Sequence, residues 1–229
     1  MTTEDTRANH YTVLETFEPI ESLLEIKRSE FIGHAVRVES EDEARAYIES
    51  LRKKYHDARH VCSAFVVGAD RDVQRSSDDG EPAGTAGIPM LQAILSRRTT
   101  EDENSPGTDL SDICVVVVRY FGGIKLGAGG LVRAYTDAVV QVLDQATLVP
   151  RHRLRMGRIA TDFAEAGKLE NELRAHGIHV DTTEYGAAQA NIVIGTFDSP
   201  ASQAEVEDKL AALTAGMATV EWGETRWVG

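Results

Sequence analysis

"DICVVVVRYFGGIKLGAGGLVRAY", residues 112–135, is the stretch whose reading decides the fold. Ile113 to Val118 are six consecutive apolar residues, four of them valine, a run that predicts a strand buried on both faces. Five glycines then fall within nine residues, at 122, 123, 127, 129 and 130, with Lys125 among them. From Leu131 the apolar residues recur at helical spacing, through Tyr135, Ala138, Val139, Val142, Leu143 and Ala146, down to Pro150. The order is therefore buried strand, glycine loop, helix.

Glycine at that density gives up chain entropy for backbone freedom, so a tight turn, a close approach or a bound ligand is expected there. A helix start offers unpaired N–H groups and the positive end of the helix dipole, and a glycine loop lets an anion reach them. Arg119, Lys125 and Arg133 add positive charge around it. Arg119, Tyr120, Gly122, Gly123, Lys125, Gly127, Gly129, Gly130 and Arg133 are thus the candidate anion- or RNA-binding residues. GxxxxGK[ST] is absent and the glycines do not fit GxGxxG, so neither a P-loop nor a dinucleotide fingerprint is present. The competing reading is that the glycines only permit a sharp crossing and that Arg119 anchors a strand end.

A second loop, "SSDDGEPAGTAG" at 76–87, carries Asp78, Asp79 and Glu81. Three clustered carboxylates are a weak alternative site for a divalent cation such as Mg²⁺. EF-hand and HExxH spacings are absent, so the expectation is no metal, with these acids solvated or paired with Arg119 or Lys125. Ser76, Ser77 and Thr85 lack a GxSxG elbow. His56 and His60 would face together only on a helix, in a segment that reads as a helix end entering a strand. Cys62 and Cys114 sit in apolar runs without CxxC spacing and read as buried free thiols. No catalytic residue and no cofactor is assigned.

Working outward, 11–17, 22–29 and 30–38 read as strands. Residues 40–55 read as a helix opened by a Ser40/Glu43 capping box, with Ala44, Tyr47, Ile48 and Leu51 at helical spacing. Residues 60–68 read as a strand, 69–87 as a long polar loop, 88–98 as a short helix and 99–110 as a solvated connector. Beyond Pro150 the pattern is βαββαβ, a ferredoxin-like order, which places a domain boundary between 1–150 and 151–229. Arg151, Arg153 and Arg155 alternate with apolar residues and predict one exposed basic strand face, a secondary RNA-contacting stripe or simply a solvated surface.

Composition bounds the function. Of 229 residues, 42% are hydrophobic and 27% charged, ordinary for a folded protein. The 37 acids against 6 lysines and 18 arginines leave a net charge of −13, a balance that suits high salt. A broad basic footprint is excluded, so any RNA contact has to be local. The start, "MTTEDTRANHYTVLE", lacks the basic and apolar regions of a signal peptide, and no run reaches the roughly 18–20 apolar residues of a membrane span. The expectation is a cytoplasmic protein with no membrane partner. The sequence sets no oligomeric state.

"SEFIGHA" (29–35), "DARHVCSAFVVG" (57–68), "SDDGEPAGTAGIPML" (77–91) and "VVVVRYFGGIKLGAGGLVRAY" (115–135) together resemble the IMPACT family, including its bacterial and archaeal YigZ-type members. The resemblance covers about residues 20–145, and the last 79 residues resemble more loosely the small domain that follows in prokaryotic members. It implies a two-domain α/β (α+β) protein. The first domain would be similar to domain IV of elongation factor G and to GHMP-type kinases, the second to domain V of that factor. It implies a role in translation and stress response, through RNA, the ribosome or a translation-associated protein. Eukaryotic relatives interfere with activation of an amino-acid-starvation kinase, using a different N-terminal domain with no counterpart here, so that role is not carried over. The reading is a non-catalytic, nucleic-acid-binding regulator. The alternative is an enzyme or binding protein for a small phosphorylated or nucleotide ligand.

Overall fold

The computed structural model describes residues 8–100 and 107–229. The start of the stretch read for a signal peptide, up to residue 7, and the middle of the 99–110 connector lie outside the described residues. The chain divides into two compact units, Tyr11–Pro150 and Arg151–Gly229 together with the segment ending at His10.

The elements up to Leu143 run β1 (His10–Leu14), β2 (Ile20–Ile26), β3 (Ser29–Arg37), α1 (Glu41–Lys54), β4 (His60–Val67), β5 (Val73–Ser77), α2 (Gly87–Leu95), β6 (Ile113–Tyr120) and α3 (Ala128–Leu143). One sheet has the order β2-β3-β6-β4-β5, antiparallel throughout. β6 is its centre, and the valine run explains why. Ile113, Val115 and Val117 point to the core shared with α2 and α3, against Ala86, Met90, Tyr135 and Val139. Cys114, Val116 and Val118 point the other way, against Ala44, Ile48 and Leu51 of α1. Side chains alternate along a strand, so a strand with helices over both faces needs apolar residues at every position. Burial on both faces is thus achieved in an antiparallel sheet.

α1 starts where the Ser40/Glu43 pair predicts, with the carboxylate return reaching one residue beyond the cap. Ser40 Oγ accepts from the Glu43 amide at 3.2 Å, and the Glu43 carboxylate reaches back to the Glu39 amide at 2.7 Å. Three boundaries differ from the sequence reading. The polar loop 69–87 contains β5, an edge strand paired only with β4. α3 begins at Ala128 rather than Leu131, because Gly129 and Gly130 lie within its first turn. It ends at Leu143, with Ala146 and Leu148 packed on the same core from beyond its end.

The remaining elements are β7 (Leu148–Thr161), α4 (Phe163–Ala175), β8 (His179–Tyr185), β9 (Ala190–Phe197), α5 (Pro200–Thr214) and β10 (Val220–Val228). β7 pairs antiparallel with both β9 and β10, and β9 with β8; β1 also pairs with β7. Ile159, Ile192 and Ile194 of the sheet meet Leu169 and Leu173 of α4 and Val206 and Leu210 of α5. α5 shows the expected asymmetry: Ser199 caps it, accepting from the Ser202 amide at 3.2 Å, and proline occupies its first turn. The protein is a mixed α/β chain, with two sheets and five helices among the described residues.

Candidate functional site

The start of β4, the end of β6, the middle of α3 and the loop after β5 meet around one buried carboxylate. Glu81 Oε1 accepts from Arg119 Nη1 at 2.5 Å and from the Tyr135 hydroxyl at 2.8 Å. Glu81 is 8% exposed, Arg119 6% and Tyr135 not at all. His60 Nε2 stands 4.0 Å from the same oxygen, and its Nδ1 lies 2.9 Å from the Asp79 carbonyl. The Arg119 guanidinium carbon lies 5.4 Å from the Phe31 ring centre and 5.7 Å from that of Phe121. Phe31 meets Tyr135 edge to face at 5.3 Å. A charge this deep is tolerable only because its counter-charge and a second donor reach it.

Burial drives the Tyr135 hydroxyl far above the ordinary tyrosine range, with Cys62 and Glu81 adding to the effect, so it stays a donor. The Cys62 thiol, 3.4 Å from that hydroxyl, is pushed up to about 12. Burial is the main cause, the Tyr135 hydrogen bond opposes it, and Glu81, Asp79 and Asp78 reinforce it. A thiol so protonated is a poor nucleophile.

The other two acids of the loop serve the backbone. Asp78 Oδ1 accepts from the Ala86 and Gly87 amides at 3.0 and 2.8 Å, and Oδ2 from the Gly84 amide at 2.7 Å. It thereby ties the loop to the start of α2. Burial works against its ionised form, but those three amides outweigh burial and hold its carboxyl below the usual range. Asp79 accepts from the Val61 amide at 2.7 Å and Arg52 Nη2 at 3.0 Å. The carboxylates of Asp78, Asp79 and Glu81 thus address three different sets of protein donors. Among the described residues no group of three or more His, Cys, Asp or Glu is placed to share a metal ion.

Of the glycines, two sorts emerge. A Cβ at Gly122 would lie 1.9 Å from the Arg28 carbonyl, so the backbone there admits nothing larger. Gly123 and Gly127 have φ of +87° and +73°. These answer to the crossing itself. A Cβ at Gly129 would meet nothing within 4 Å, and its φ is not positive. The fold makes no demand for glycine at that position. Gly130 is intermediate, with Leu126 Cβ 3.0 Å from where its own Cβ would stand.

The charged candidates separate as well. Of the two sequence readings of Arg119, an anion-binding cation or a strand-end anchor paired with the acidic loop, the geometry matches the second: Arg119 is buried and paired with Glu81. Lys125 and Arg133 are exposed. The Tyr120 hydroxyl donates to Asp57 at 2.8 Å, and that bond raises its phenol to about 12. A cavity of about 340 Å³ opens at the α3 start, lined by His60, Arg119, Phe121, Lys125, Leu126 and Gly127 among others. In the sequence alone, His60 falls where a helix end enters a strand, and Tyr135 falls in an apolar helical stripe. The signal for Tyr135 was its hydroxyl, which needs a partner when buried.

The basic stripe of β7 is not a free solvent-facing row. Arg153 and Arg155 both reach Asp198, at 3.5 and 3.0 Å, and Arg155 also donates to the Gly223 carbonyl at 2.8 Å. Their side chains are only 13% and 28% exposed, and Arg151 is half-buried. The expectation of an exposed basic face is corrected: one carboxylate serves two of its three arginines.

Fold and site define a two-unit α/β protein whose larger unit buries an Arg–Glu–Tyr cluster beside an open glycine loop. Residues 27–143 match the model of the Impact N-terminal domain, and residues 159–217 that of a domain of unknown function (DUF1949). The chain is 36% identical to IMPACT family member YvyE of Bacillus subtilis, over 96% of this chain and 94% of that protein. It is also 36% identical to IMPACT family member YigZ of Escherichia coli, over 86% of this chain and 91% of the relative. A solved structure titled as that of a hypothetical protein aligns over 95% of this chain and 98% of its own, with 33% identity and a TM-score of 0.57. The chain belongs to the IMPACT family.

Proposed function

We propose that this protein is a non-catalytic regulator of translation, binding RNA or a ribosome-associated partner in the cytoplasm through the face at the α3 start. One observation carries the reading. The acids of the neighbouring loop are all engaged inside the protein, while Lys125, Phe121 and the helix start line a shared cavity. That leaves a local positive spot on an acidic chain. The βαββαβ order with the sheet sequence β10-β7-β9-β8 supports reading 151–229 as a ferredoxin-like domain. The similarity of 1–150 to domain IV of elongation factor G and to GHMP-type kinases rests on the motif resemblance. Yeast carries a relative, Protein IMPACT homolog of Saccharomyces cerevisiae, 36% identical over 104 residues.

Co-sedimentation of the full chain with ribosomes and with total RNA, across salt from about 50 to 200 mM, tests the proposal. The protein should pellet with one of them, less at high salt. Lys125→Ala should weaken the association and lower the salt slope by about 1. A protein that stays in the supernatant at every salt concentration overturns the reading.

A further inference from the structure

Resting on that reading, we infer that the cavity at the α3 start holds one nucleotide unit, its phosphate on the first-turn amides and Lys125, its base against Phe121. α3 is 16 residues long, its N-cap is Gly127, and among the described residues no side chain caps it. Its first amides are therefore donors without a side-chain acceptor, at the positive end of a full-length dipole. A phosphate satisfies them.

Three further observations point to a ligand. Arg119 is more than nine-tenths buried and lines the cavity, yet its Nε has no hydrogen-bond partner among the described residues. Gly129 has no packing or conformational reason to be glycine, and glycine in a helix is less favourable than alanine. A group that must come close to the backbone there supplies the missing reason. The cavity walls are the third. Phe121 is 50% exposed, and with Leu126, Leu131 and Pro82 it makes an apolar surface beside the cations. Inorganic phosphate alone leaves that surface uncovered, and an apolar ligand alone leaves the amides and Lys125 unmet. A flat ring joined to a phosphate meets both, and a volume of about 340 Å³ suits one such unit.

The same chemistry comes from a free nucleotide or from one residue of an RNA strand, and titration calorimetry on the full chain separates them. The probes are inorganic phosphate, a nucleoside 5′-monophosphate and a single-stranded RNA hexamer. Both nucleotide probes should bind more tightly than phosphate, and the hexamer most tightly. Phe121→Ala should weaken hexamer binding by about fivefold or more, the loss expected for one stacked base. Gly129→Ala should weaken it too, while the melting temperature stays level or rises. A merely structural glycine would show the reverse.

Failure to bind either nucleotide probe overturns the inference, as does binding that all of Phe121→Ala, Gly129→Ala and Lys125→Ala leave unchanged. If ribosomes or RNA still pellet in that case, the regulatory reading stands without this site. If the monophosphate binds here and no RNA does, the nucleotide site stands and the RNA reading falls.

Discussion

The loop at 78–86 and the loop at 121–127 both follow a strand, both precede a helix and both carry glycines, yet they treat their polar groups in opposite ways. In the first, Asp78 binds three backbone amides of its own loop, Asp79 binds the β4 backbone and Arg52, and Glu81 takes Arg119 and Tyr135. At the start of its helix, α2, Asp78 meets the amides of Ala86 and Gly87. In the second, α3 starts without a side-chain cap, and Lys125 is exposed. A loop whose charges close on themselves is architecture. A loop whose donors remain open is what the proposed RNA-binding role requires.

The largest effect expected from this contrast is at Glu81. Glu81→Ala leaves the Arg119 guanidinium buried without its counter-charge and should cost about 3–5 kcal/mol in urea denaturation. Combining Arg119→Met with Glu81→Leu should recover most of that, since replacing both members of a buried pair is far milder than removing one. A loss no greater than at a surface residue would erase the distinction between the two loops.

Asp78→Ala strands three amides and should cost about 1–3 kcal/mol by the same measurement. Its pH dependence is the next sharper test. The Asp78 carboxyl is held below its ordinary value of 3.8, so its stabilisation is present above that value and is lost as pH falls below it and through the lower folded-state value. Asp78→Asn should remove that acid-side loss from a series of melting curves between about pH 5 and pH 2. An unchanged acid limb in Asp78→Asn would assign the loss to other carboxylates. The smallest effect belongs to the open loop. Lys125→Ala should change stability by no more than about 0.5 kcal/mol, whatever it does to RNA association. A larger change would make Lys125 part of the fold.

Much of this architecture was legible along the chain. The run from Ile113 to Val118 announced a strand covered on both sides, and Ser40 with Glu43 announced where α1 begins. β5 was hidden because Val73–Ser77 has no apolar alternation: an edge strand joins by backbone hydrogen bonds and leaves little hydrophobic pattern. At the candidate site the glycines, Lys125 and the acidic loop were all visible, but their roles were not.

The sequence alone determined the strand–loop–helix frame, because hydrophobic period and glycine content act over a few neighbouring residues. The tertiary structure decided which charges remained available. Arg119 and Glu81 lie 38 residues apart, and only the stacking of α3 on the sheet brings them together at a depth where neither charge tolerates solitude. The same packing showed that Gly122 answers to the Arg28 carbonyl while Gly129 answers to nothing within 4 Å. Spacing in a sequence counts glycines; only distances show which of them the fold requires.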